Sequence, residues 1–477
     1  MDKQKIFQYI DEKASDFIDI SDQIWEFAEL SLEEYRSAET YVDFLRKEGF
    51  EVEENVAGIA TAFIGTFGSG SPRIGILAEY DALSSLSQKS ECTTQEPFEA
   101  GGNGHGCGHN LLGVGALAAA MALKQMIQDG ELSGTVVLYG CPGEEGCASK
   151  TFMARDGYFR DLDAALTWHP GDVNEVITGS NAASLQIEYS FTGIASHAAG
   201  NPEMGRSALD AAELMNVGVQ FLREHIKRND SVHYSFLDTG GPSPNVVQPT
   251  ARVLYMVRSD CVRNAKKVLE RVNNIARGAA LMTDTQVTIR QIDGTSSTVS
   301  NQVIEKLLYE NFQLVPLPEY SGKEQALAKV LFDTYDKAGL PGGITAHSFE
   351  VRRFVEEHTN NGTKPINDFL MPYFPCNVMN LGSTDVGDVS WLTPTAQFNA
   401  VTWPSCVPGH TWQVVSVGKS SFAHKGMLLA AKVLAATAAD LMEQPELLLQ
   451  AREEFDHTTR EGYDCPLTPD LKPVPVV

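Results

Sequence analysis

Apolar positions recur at helical spacing through the first fifty residues, where Ile6, Ile10, Phe17 and Ile18, then Ile24, Phe27 and Ala28, form one stripe. A second helix is predicted over 37–47, with Gly49 to end it. Apolar runs at 59–67 and 73–78, separated by the Gly/Ser/Pro turn 68–72, read as strands. Residues 84–104 are polar and irregular, a loop long enough to carry function. An Ala-rich apolar helix follows over 111–128, with Asn110 placed to cap it and Gly130 to stop it. The runs 135–139 and 164–168 read as buried strands. Strands alternating with helices predict an α/β fold built on a largely parallel sheet.

The pattern changes near residue 184. A strand at 184–192, a helix at 207–228, strands at 232–237 and 246–257, a helix at 265–280 and a strand at 286–292 spell βαββαβ, the split ferredoxin-like unit. The apolar α/β pattern returns around 409–412 and in the Ala-rich helix after His424, so this unit is an insertion. The expected organisation is a catalytic α/β domain of 1–183 plus 298–477, with an inserted α+β domain at 184–297. Residues 310–376 are less regular, with a helical piece at 323–338. The length of 477 residues suits two such domains.

Composition narrows the partners. The chain has 37 Lys+Arg against 62 Asp+Glu, a net charge of −25, which repels nucleic acid and anionic membrane alike. With 43% hydrophobic residues, wholesale disorder is excluded. The first residues, MDKQKIFQYIDEKASDF, hold no apolar signal core, and the apolar stretches 111–123 and 427–439 are too short to cross a bilayer. Together with eight scattered cysteines, these features predict a soluble cytoplasmic protein with reduced thiols.

The densest chemical signal is His105-Gly106-Cys107-Gly108-His109-Asn110, just before a helix. A Cys and a His two residues apart across a glycine can reach one ion, although the same residues also suit a tight turn with a buried thiol. Pro142-Gly143-Glu144-Glu145-Gly146 follows a buried strand, where α/β proteins build sites, although many Glu-Glu pairs are only exposed acidic turns. Trp168-His169-Pro170 ends another strand, and Pro408-Gly409-His410-Thr411 adds a fourth histidine. Either histidine alone reads equally as a satisfied polar group. Converging from separate strand ends, the four segments point to a metal site.

In these residues the chain resembles the M20 metallopeptidase/amidohydrolase family, in the aminoacylase-like branch whose first motif reads His-x-Cys-Gly-His-Asp. The resemblance runs nearly end to end. It takes in residues 25–34, Glu79-Tyr80-Asp81-Ala82-Leu83, Ser196-His197-Ala198, residues 240–247 and 383–391, and Ala423-His424-Lys425-Gly426-Met427. It implies a two-ion catalytic domain, with zinc or manganese as the metal, and an inserted lid domain that also dimerises. Cys107 would be shared between the ions, with His109, Glu145, His169 and His410 completing the set and Glu144 as general base. His197 would steady the tetrahedral oxyanion from the lid, and Asn245 with Arg258 would hold the substrate carboxylate. Glu79, Asp81, His105, His424 and Asp388 would be supports. The chain departs from the branch at Asn110, where Asp is usual, and at Thr384-Asp385, where Glu-Asp is usual. Both departures bear on metal preference and substrate range.

The resemblance further implies an amidohydrolase acting on small N-acyl or N-aroyl amino acids, p-aminobenzoyl-glutamate first among them. It also implies a homodimer, or a complex with a related A-type subunit. Lys150 or Arg206 is a candidate for a side-chain carboxylate of the leaving amino acid. A broader N-acyl-amino-acid hydrolase or dipeptidase, including indoleacetyl-aspartate substrates, is the neighbouring reading. A catalytically silent ligand-binding subunit is a reading of another class.

Overall fold

The computed structural model describes residues 1–335 and 348–475. Four parallel strands, Gly134–Gly140, Arg73–Ala78, Ala164–Gly171 and Thr395–Val401, form the centre of a seven-stranded sheet. Antiparallel Phe63–Ser69 and Glu51–Glu54 extend it on one side, and the two-residue strand Glu175–Val176 closes the other. Buried apolar runs such as Arg73–Ala78 and Gly134–Gly140 are what a sheet covered on both faces requires. Chain leaving the carboxyl ends of these strands carries Glu79, Asp81, Glu144 and Glu145 to one edge, and His169 lies near the same end of its own strand.

The helices His109–Gln128 and Ser421–Glu443 pack on one another and on the sheet. Their alanines and glycines make that approach close. A Cβ on Gly115 would stand 2.7 Å from Trp168 Nε1, and one on Gly426 would stand 2.1 Å from the Val401 carbonyl oxygen. Trp168 is fully buried there and donates its indole N–H to the Leu112 carbonyl at 2.9 Å, so its loss would cost about 3–5 kcal/mol. His109–Gln128 is long and apolar enough to cross a membrane, but it lies within this core.

Local chemistry moved several predicted boundaries. Helix His109–Gln128 starts from Gly108 at φ +75°, and Asn110 lies inside it rather than capping it. The Asn110 amide donates to Ser21 Oγ and to the Gly418 carbonyl, each at 3.1 Å, and ties three segments together. The strand expected from residue 59 begins at Phe63, because Asn55 and Ala57 adopt positive φ and a short 3-10 turn, Val56–Gly58, intervenes. The strand expected from 246 begins at Thr250, after Pro249. The helix expected over 323–338 is Gly322–Asp333, started by a capping box between Ser321 and Glu324. Positions 336–338 lie outside the described residues.

The inserted segment forms a separate antiparallel sheet in the order Gln286–Thr295, Ala183–Thr192, Thr250–Ser259, Ser231–Asp238. Alternation puts Leu185, Ile187, Tyr189 and Phe191 on one face with Val253, Tyr255 and Val257. Helices Ala208–Arg223 and Val262–Met282 cover that face and complete a core of its own.

Candidate metal centre

The glycines around Cys107 let the backbone turn where side chains would collide. A Cβ on Gly108 would meet Pro170 at 2.9 Å, and one on Gly106 would meet Leu86 at 2.7 Å. The turn sets Cys107 Sγ 3.5 Å from His169 Nε2, and the His109 and His169 rings meet edge to face at 5.7 Å between centroids. The Glu144-Glu145 turn is pinned through its backbone, the Gly143 N–H donating to Glu34 at 2.8 Å and the Glu145 N–H to Asp81 at 2.9 Å. His410 arrives in the left-handed region at φ +61°, a conformation costing about 1–3 kcal/mol outside glycine. Its N–H donates to the Gly106 carbonyl at 2.7 Å, and its Nε2 lies 3.0 Å from Glu145 Oε1.

Three donor groups result: Cys107 with His109 and His169, Cys107 with Glu145 and His410, and Glu79 with His109 and Glu144. Two of them share the Cys107 sulfur. The histidines are oriented for ligation. His109 Nδ1 is 2.8 Å from Asp81 Oδ1, so this nitrogen carries the proton and Nε2 faces the cluster, buried and without a hydrogen-bond partner. His169 Nδ1 donates to the Pro170 carbonyl at 2.7 Å, which likewise turns its Nε2 inward. Thiolate, imidazole and carboxylate with an orphaned buried nitrogen fit a divalent ion.

Electrostatics agree. Burial pushes the Cys107 thiol up, and the Glu145 charge adds to it. Burial also raises Glu144 well above the carboxylate range, reinforced by Glu79, Glu145 and Asp385. Against burial, the His109 charge and hydrogen bond hold Asp81 down to about 2. A cation entering this cluster therefore displaces protons from its ligands. Cys107, Glu79, Glu144, Glu145, His169 and His410 line an open cavity of about 360 Å³, with Glu175, Asn399 and Ser383 also on its wall, while His109 lies buried behind it.

Other predicted residues are placed differently. Lys150 is not available to a substrate: it is fully buried, with Nζ 2.8 Å from Glu79 Oε1 and 2.5 Å from Asp385 Oδ1. Arg206 is engaged by Asp284 and by the Glu203 and Gly205 carbonyls, away from the cavity lining. His197 and Asn245 lie side by side in the inserted unit, the Ala198 N–H donating to the Asn245 carbonyl at 3.0 Å. Both are exposed, and neither lines the cavity of its own chain. Arg258 donates to Ser383 Oγ at 2.8 Å and so reaches the cavity wall. His105 bonds the Ile24 carbonyl, His424 bonds Asp22, and Asp388 accepts from Thr151, Ser296 and Tyr463, all supporting roles. Glu79 is more than a support, since its Oε2 lies 3.4 Å from His109 Nε2. The signal for it was the spacing Glu79-x-Asp81 directly past a buried parallel strand.

Residues 75–368 match the model of peptidase family M20/M25/M40. The chain is 43% identical to the B-type chain of p-aminobenzoyl-glutamate hydrolase from Escherichia coli (strain K12), over 99% of this chain and 100% of that protein. In fold it resembles an aminobenzoyl-glutamate utilization protein from Klebsiella pneumoniae, with TM-score 0.60 and 17% identity over 91% of this chain and 97% of that one. It also resembles a dinuclear metal binding peptidase of the M20 family from Bacillus subtilis, with TM-score 0.55 and 18% identity over 91% and 99%. On these matches and this donor set, the chain belongs to peptidase family M20/M25/M40 and is a metal-dependent amidohydrolase.

Proposed function

We propose that the chain hydrolyses p-aminobenzoyl-glutamate to p-aminobenzoate and glutamate, with two divalent ions held by Cys107, His109, Glu145, His169 and His410. The observation that carries the chemistry is Glu144, half-buried at the cavity wall beside two donor groups that share one thiolate. The end-to-end likeness to a chain of the p-aminobenzoyl-glutamate hydrolase supports the substrate. Bound ions would polarise the scissile carbonyl and acidify the attacking water. The thiolate and imidazoles suit zinc, while the carboxylate admits manganese.

Glu144 accepts the proton as the water oxygen bonds to the carbonyl carbon, then delivers it to the nitrogen as the C–N bond breaks. Its neighbour Glu145 stays a ligand, so the two adjacent carboxylates divide the work. Arg258, anchored at Ser383 on the cavity wall, offers a planar fork for the substrate carboxylate, and Asn245, carried next to His197 in the inserted unit, adds a second contact to that carboxylate. The purified, metal-loaded protein should release p-aminobenzoate from p-aminobenzoyl-glutamate. Two bound ions without turnover of this or any N-acyl amino acid would instead indicate a protein that only binds its ligand.

The working unit is a dimer through the inserted unit, with a second copy or a related A-type subunit. Helix Ala208–Arg223 exposes Leu214, Val217 and Phe221 on one face, and the sheet's edge strand Ser231–Asp238 exposes Tyr234 and Phe236. In that dimer His197 serves the partner's cavity, as an oxyanion donor worth about 3–4 kcal/mol. Mixed Glu144→Ala and His197→Ala chains should regain about a quarter of the sites, because a two-fold interface leaves one intact site in each mixed dimer. No recovery after verified subunit exchange would place His197 in its own chain's site. All eight cysteines are free, which supports a reducing, cytoplasmic setting.

A further inference from the structure

Lys150 and Arg206, the two basic candidates for a side-chain carboxylate of the leaving amino acid, are engaged elsewhere. Among the described residues that line the cavity there is no lysine or arginine. Apart from Arg258 at the wall, a polar side chain on that amino acid meets neutral groups at this end.

Arg258 marks the leaving-group end. Its Nη1 donates to the Leu381 carbonyl at 3.2 Å and to Ser383 Oγ at 2.8 Å. No described residue accepts a hydrogen bond from its Nε or Nη2, so that side of the fork is left for an α-carboxylate. Asn380 begins the same turn, one residue before Leu381. The Gly382 N–H donates to Asn380 Oδ1 at 3.0 Å. A backbone N–H can only donate, so this bond fixes which end of the carboxamide is oxygen. It leaves Nδ2 with two N–H donors, and no described residue takes either.

Asn181 pairs with Asn380 in the parallel two-stranded sheet, and paired positions project from the same face. Parallel strands stand about 4.8 Å apart, so two such carboxamides can meet one carboxylate. The Asn181 backbone N–H donates to Thr298 Oγ1 at 2.7 Å, and its side chain has no hydrogen-bond partner among the described residues. Both asparagines line the cavity. A carboxamide free to turn over accepts as readily as it donates. Asn380 is held as a donor, which suits a carboxylate and opposes a guanidinium or an ammonium.

We infer that Asn380, fixed as a donor by Gly382 and joined by Asn181, selects an acidic leaving amino acid by hydrogen bonding to its side-chain carboxylate. Two neutral amides take the place of a cation. The inference rests on the amidohydrolase reading above, with Arg258 on the α-carboxylate, and names the groups that read the leaving side chain.

The test compares the p-aminobenzoyl amides of glutamate, alanine and arginine, which share the acyl group and the α-carboxylate. The native enzyme should favour glutamate over alanine by about tenfold or more in kcat/KM, the range of hydrogen bonds to a charged group. Asn380→Ala should bring that ratio close to one, and Asn181→Ala should lower it part-way. Asn380→Asp, almost the same size but without the donor, should put glutamate below alanine and raise arginine above it. Native indifference between glutamate and alanine overturns the inference, and so does a glutamate preference that survives in Asn380→Ala and Asn380→Asp. So does an equal loss on all three amides, which would put Asn380 on the α-carboxylate. If the native enzyme cleaves none of the three, the substrate reading fails separately. Affinities of the metal-loaded protein for free glutamate and free alanine then decide the role of Asn380. Tighter native binding of glutamate, weakened in Asn380→Asp, supports it, and equal native affinities overturn it.

Discussion

Glu188 on the four-stranded sheet and Glu144 at the edge of the seven-stranded sheet are both partly withdrawn from water, with opposite consequences. Glu188 accepts from Arg252 and Arg290 across neighbouring strands, each at 2.6 Å, and from Ser190 at 2.8 Å. The Arg252 hydrogen bond leads in holding its carboxyl down to about 2. Burial raises Glu144 instead, and Glu79, Glu145 and Asp385 push it further, against the opposing charge of Lys150. On the inserted sheet Glu188 is met by two opposite charges, which serves folding. The catalytic edge gathers like charges that Lys150 only partly offsets, and bound metal would supply the rest.

The contrast is broken most severely at Lys150. Replacing it by methionine keeps much of the volume but leaves Glu79 and Asp385 buried without their cation, and should destabilise the protein by about 3–5 kcal/mol in denaturant titration. A loss below about 1 kcal/mol would mean that the acidic edge tolerates its own charge, and the contrast would fail.

On the inserted sheet the corresponding change is small. Both arginines are about half exposed, so solvent screening limits the effect of Glu188→Gln to about 1 kcal/mol. A carboxyl held down in the folded state stabilises above its unfolded pKa, near 4.3, and that contribution is lost as pH falls towards about 2. The native protein should therefore lose more stability between about pH 5 and pH 2 than Glu188→Gln does. Parallel pH profiles for the two would show that the cluster contributes nothing.

Elements with strong periodicity were legible in the sequence. The buried strands behind Glu144 and His169, and the βαββαβ order of the insertion, needed only alternation and turn residues. The donor set was legible because its members sit in short motifs, Cys107 and His109 before a helix, Glu145 past a strand and His169 near the end of one. Register was not. Glu175 lies on a two-residue strand with no pattern to reveal it, and only its pairing with Asn399 brings it to the cavity. Asn110 looked like a cap because its side chain suits one, yet Gly108 already makes the turn and frees Asn110 to bridge Ser21 and Gly418. Lys150 looked like a substrate contact because a sequence shows a charge but not the partners that neutralise it.

The division of work between Glu144 and Glu145 is the centre of the account, and counting ions in the two variants tests it most directly. Metal content per chain and turnover should be measured together on the native protein, Glu144→Gln and Glu145→Gln. Glu144→Gln should keep the native two ions and lose about 10³-fold or more in kcat, within the range of a removed general base. Glu145→Gln should lose metal. Equal loss of metal from both variants, or substantial turnover by Glu144→Gln, would contradict the assignment.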